Sequence, residues 1–140
     1  PMGSTVSFTN LDGWEHHVRG LPAGLAGLSA GNKGFEMRLA GKEVGKDAAR
    51  SDLVLDKPGA FQLGCHLHGS MRGFIYVTDS PFAAKTGADG TALINEVPEG
   101  AARVRVWHGD QLVDAPATDV TISGTSTLNL PTQVQPRRRR

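Results

Sequence analysis

Gln62-Leu63-Gly64-Cys65-His66-Leu67-His68-Gly69-Ser70-Met71-Arg72-Gly73 concentrates the chain's unusual chemistry. Residues 65–71 hold the only cysteine of the 140-residue sequence, two of its five histidines and one of its three methionines. Spaced Cys-x-x-His-x-x-Met, a thiolate, an imidazole and a thioether form a soft donor set. Such a set suits copper, above all a copper that alternates between Cu(I) and Cu(II). Trigonal coordination by one thiolate and two imidazoles, with a weak axial thioether, needs a further histidine from elsewhere. Asp12-Gly13-Trp14-Glu15-His16-His17-Val18 offers two. Residues so far apart in sequence meet only across a folded sheet, so the stretch implies a β scaffold.

The flanking sequence reads the same way. Ala60 to Gly64 leads into the stretch, and Phe74-Ile75-Tyr76-Val77 leaves it as a β-rich strand. Upstream, residues 3–9 alternate with Val6 and Phe8 on one face, and Asn10-Leu11-Asp12-Gly13 reads as a turn. His16-His17-Val18 opens the next strand. Leu21 to Gly34, with three internal glycines, reads as a loop holding at most one helical turn after Pro22. Phe35 to Leu39 and Leu53 to Leu55 read as strands on either side of a polar loop, Ala40 to Ser51. Asp56-Lys57-Pro58-Gly59 is a turn. Downstream, strands are expected at Thr91 to Ile94, Ala102 to Trp107, Val120 to Ile122 and Thr127 to Leu130, the last two pairing around Gly124. Many short strands, Gly/Pro turns and no long helix imply an all-β sandwich or barrel.

Composition narrows the function classes. A chain of this length is one domain, or one domain with a small appendage. Its 15 basic residues include Arg137 to Arg140, so residues 1–136 carry 11 basic against 14 acidic side chains. A body of that charge is not a nucleic-acid binder. No apolar run reaches the ~18 residues that a membrane span needs. The chain opens on Pro1-Met2-Gly3-Ser4-Thr5 without a basic and apolar leader. The four terminal arginines read as a disordered, solvated tail, with contact to an anionic surface as the alternative.

Each candidate ligand also has an ordinary structural role open to it. A lone cysteine is commonly a small buried hydrophobe. His68, with two residues between it and Cys65, can converge on the sulfur, whereas His66 points away to solvent. Met71 would close the site as the long axial contact. Of His16 and His17 one should face the metal, and spacing alone leaves the choice open. His108 reads as a surface or packing residue, and Met2 and Met37 as structural. Zinc is the competing ion, although structural zinc sites recruit four Cys/His ligands and no methionine. A cysteine nucleophile lacks a recognisable oxyanion elbow or orienting group.

These motifs resemble those of the cupredoxins, the blue copper proteins. Phe8-x-Asn10-x-Asp12-x-x-x-His16-x-Val18 is similar to the segment that carries their first histidine ligand. Cys65-x-x-His68-x-x-Met71-Arg72-Gly73 resembles the short ligand loop of amicyanin. The Asp56-to-Gly59 turn, Lys85-Thr86-x-x-Asp89-Gly90 and Val106-Trp107-His108 are similar to bacterial methylamine-utilisation or plastocyanin-like proteins. The resemblance covers roughly residues 3–110. It implies a Greek-key β-sandwich with additional C-terminal strands and copper held by His16, Cys65, His68 and Met71. It further implies one-electron transfer between redox partner proteins rather than catalysis, in the bacterial periplasm. A copper carrier or sensor, and a structural β module with a vestigial or zinc site, are the rival functions. Residues 1–80 would form the copper core, 81–134 strands completing or appended to the sandwich, and 135–140 the tail. His17 stands where the family has a hydrogen-bonding asparagine, and some sixty residues follow the ligand loop's exit strand. Those later strands resemble, in turn texture alone, carboxypeptidase-regulatory-like or transthyretin-like modules.

Overall fold

The computed structural model describes residues 1–24, 31–111, 114–132 and 134. Much of the loop expected after Pro22, with at most one helical turn, falls on 25–30, and the arginine tail on 135–140, both outside the described residues. The described chain is all-β, with eight strands. They are β1 (Ser4–Thr9), β2 (His16–Ala23), β3 (Phe35–Leu39), β4 (Arg50–Leu55), β5 (Gly59–Cys65), β6 (Arg72–Val77), β7 (Gly100–Val104) and β8 (Thr118–Ile122). Two compact units divide it, residues 1–79 and 80–140.

In the first unit β1 pairs antiparallel with β4, and β3-β2-β5-β6 form a four-stranded antiparallel sheet. The alternating side chains of both sheets supply the core. Leu55, Phe61 and Val77 are buried, with Val6, Phe35, Leu53 and Ile75 packed around them. Phe35 lies between Phe8 and Phe61, its ring centroid 6.0 and 5.7 Å from theirs. Tilted aromatic contacts of this kind add to the burial of their area. On the outside, Arg50 braces the β1–β4 pair, its Nη2 donating to Ser7 Oγ at 2.8 Å and its Nε to Asp52 at 2.9 Å.

Turn chemistry places the strand that carries the cysteine. Gly59 follows Pro58 with φ of 131°, a left-handed backbone that glycine adopts without strain, and opens β5 as a buried residue. β5 then runs as the central partner of β2 and β6 and ends on Cys65.

The structure corrects one strand boundary, two expected strands and one pairing. β2 continues through Leu21, Pro22 and Ala23, opposite Gln62, Phe61 and Ala60, where a loop was expected. Pro22 is tolerated there because the pairing of β2 with β3 ends at Gly20, so beyond it β2 is an edge beside β5 alone. Residues 91–95 and 127–130 are not strands. In the second unit β8 pairs with β7 across a long sequence gap, Ala102 opposite Val120, rather than with a strand around Gly124. Short apolar alternations supply a face, but only an available partner edge makes them strands.

Candidate metal centre

The register of β2 against β5 brings the first ligand to the second. Val18 sits directly opposite Cys65. His16, two residues back along β2, therefore shares the face of Val18 and is the diagonal neighbour of Cys65. His16 is 6% exposed. Its Nδ1 lies 3.7 Å from Cys65 Sγ. The strand period of two sends His17 to the other face. There its Nε2 meets Glu36 at 3.0 Å, and its ring meets that of exposed His66 edge-on. The choice between the two histidines is thus a parity fixed by pairing.

The loop after β5 supplies the third donor. The Met71 amide donates to the His68 carbonyl at 3.0 Å, closing a turn that folds His68 back over the strand end. His68 Nδ1 lies 3.5 Å from Cys65 Sγ, and the two imidazole centroids are 5.0 Å apart. Donor atoms of His16, Cys65 and His68 all fall within 4.8 Å of one another, the one such group among the described residues. An ion about 2.0–2.1 Å from nitrogen and about 2.3 Å from sulfur holds such donors about 3.5–3.8 Å apart at trigonal or tetrahedral angles. The sulfur–nitrogen separations fit that spacing, so the three side chains could hold one metal ion.

The electrostatics agree with a ligand role. Partial burial pushes the Cys65 thiol up, but imidazole hydrogen bonds from His16 and His68 and amide hydrogen bonds from His17 and Leu67 outweigh it. The net result is a pKa lowered to about 6. A thiolate is the form that binds metal. The same contacts raise the pKa of His16, through Cys65 first and Asp12 second.

The loop before β2 contains a part that reading it as a turn did not reveal. Asp12 Oδ2 lies 2.7 Å from His16 Nε2, on the ring edge opposite the sulfur. Asn10, 3% exposed, directs its Nδ2 to the carbonyls of Trp14, Leu39 and Ala40 at 2.7, 3.1 and 3.0 Å. Its Oδ1 accepts the Asp12 amide at 3.0 Å. The signal was present as the four-residue spacing of Asp12 and His16, but nothing local shows that the carboxylate turns inward.

Met71 is 46% exposed, and its backbone belongs to the ligand turn. His66 is exposed, as expected of the residue beside the cysteine. His108 Nδ1 accepts the Asp110 amide at 3.1 Å within a turn of the second unit. Among the described residues no helix is long and apolar enough to cross a membrane. Comparison with family models, curated proteins and solved structures gave no match to this chain.

Proposed function

We propose that the chain is a mononuclear copper protein of the type 1 kind that carries one electron between redox partners. The observation that supports it most is the gathering of one sulfur and two imidazole donors within 4.8 Å of one another. The cupredoxin-like spacing of the two motifs, with a methionine three residues after His68, supplies the choice of copper over zinc. Met71 is the proposed weak fourth contact.

Copper bound there would supply a one-electron couple and a thiolate charge-transfer transition. The chain's part is to hold the donors still. Cys65 ends a central strand, His16 begins the neighbouring strand, and His68 is fixed by a hydrogen-bonded turn. Donors positioned by a sheet move little between oxidation states, which keeps reorganisation small. Around His68 the loop exposes Leu67 and Met71. An apolar rim of this size suits a brief contact burying less than ~1,200 Å² with a partner.

Voltammetry of the copper-loaded protein tests the proposal. A reversible one-electron wave, with copper retained in the reduced form against a chelator, is the expected result. Loss of the ion on reduction would instead identify a carrier.

A further inference from the structure

We infer that Asp12 is a positioning residue of the metal centre, whose carboxylate holds His16 by Nε2 and so presents Nδ1 to the metal beside Cys65. The inference rests on the metal-binding reading above and adds the residue that sets one ligand's orientation and donor strength.

An imidazole has two nitrogens on opposite edges, so fixing one aims the other. Asp12 Oδ2 is 2.7 Å from Nε2, while Nδ1 is 3.7 Å from Cys65 Sγ. In the neutral ring that would bind a metal, Nε2–H donates to the carboxylate and Nδ1 carries the free lone pair. A carboxylate behind a ligating imidazole makes the ring a stronger donor and fixes its orientation.

Asp12 is itself held at both ends of its peptide. Its amide donates to Asn10 Oδ1 at 3.0 Å, and its carbonyl accepts the Lys42 amide at 2.7 Å. Asn10 in turn ties the loop to the end of β3 through Leu39 and Ala40. Gly41 allows the close approach, since a Cβ there would collide with the Gly13 carbonyl. A continuous set of contacts therefore runs from a buried asparagine through a tethered loop to Asp12 and His16. A solvated surface carboxylate has no need of such anchoring. Asp12 remains half exposed, so its substitution leaves the core untouched.

Zn(II), a diamagnetic probe, tests this without any redox readout. In the Zn(II)-loaded protein, nuclear magnetic resonance should show a His16 Nε2–H proton protected from exchange with water. Asp12→Ala should weaken Zn(II) binding roughly 10- to 100-fold and expose that proton to exchange. Asp12→Asn keeps an acceptor oxygen without the charge. It should retain the protected proton and lose less affinity than Asp12→Ala. Should Asp12→Ala bind Zn(II) within about twofold of the parent, outside the usual cost of removing such a partner, with the proton still protected, the positioning role is overturned and the metal centre stands. Should Zn(II) leave the His16 and His68 rings of the parent protein unperturbed and Cys65 open to thiol reagents, the metal centre falls and the role of Asp12 with it.

Discussion

His16 Nδ1 and Cys65 Sγ lie 3.7 Å apart although 49 residues separate them in sequence. Two antiparallel strands produce the meeting, because Val18 pairs with Cys65 and side chains two residues apart share a face. The site is therefore a property of the sheet register. A slip of one residue would present His17 in place of His16.

The thiolate gives a prediction for the metal-free protein. With a folded pKa of about 6 against about 8.5 for an ordinary thiol, Cys65 favours folding above its unfolded value. That contribution fades as pH falls toward 6. His16 has the opposite sign: its raised pKa favours folding below its unfolded value and is lost as pH rises through the folded one. The Cys65 contribution is thus complete only above about 8.5, and that of His16 only below its own unfolded value. Ultraviolet absorbance of the thiolate against pH checks this, and a midpoint at or above about 8.5 would contradict it.

Asn10→Ala should destabilise the first unit by about 3 kcal/mol, because it strips partners from buried or half-buried backbone groups at Asp12, Trp14, Leu39 and Ala40. Urea unfolding followed by circular dichroism measures it. A loss under about 1 kcal/mol, no more than one ordinary hydrogen bond, would show that the asparagine does not organise the loop.

Gly41→Ala should act on the same loop from the other side. Its new Cβ meets the Gly13 carbonyl and the Trp14 amide, both backbone atoms that yield only if residues 13–14 shift. The expected cost is about 1–3 kcal/mol of stability, together with weaker metal binding through Asp12 and His16. Equal stability and Zn(II) affinity in parent and variant would refute the close packing.

Met71→Gln probes the fourth contact. An amide oxygen is a harder donor than a thioether and favours Cu(II), so the reduction potential should fall. Since Met71 is 46% exposed, the fold should be unaffected. An unchanged potential would remove Met71 from the coordination sphere.

The all-β class and the strands around the site were legible in the sequence because their alternation is strong. Phe35–Leu39 matches its expected bounds, and Phe74 to Val77 lies within β6. Cys65 and His68 were legible because they are close in sequence, one ending a strand and the other in the loop that follows it. His16 could not be chosen over His17 from residue types or spacing, since the choice depends on Val18 facing Cys65. Asp12 looked like an ordinary turn residue. Its inward carboxylate depends on Asn10 reaching carbonyls about thirty positions away. In the second unit the alternation at Thr91 to Ile94 and Thr127 to Leu130 misled, because pairing partners and not side-chain pattern decide which weak segments become strands.

The most direct test of the metal centre is the absorption spectrum of the purified protein after adding one equivalent of Cu(II). An intense visible thiolate-to-copper band is expected, absent in Cys65→Ser and His16→Ala but kept in His17→Ala, whose ring lies on the other face of β2. A colourless parent protein, or a band that survives His16→Ala and vanishes with His17→Ala, would contradict it.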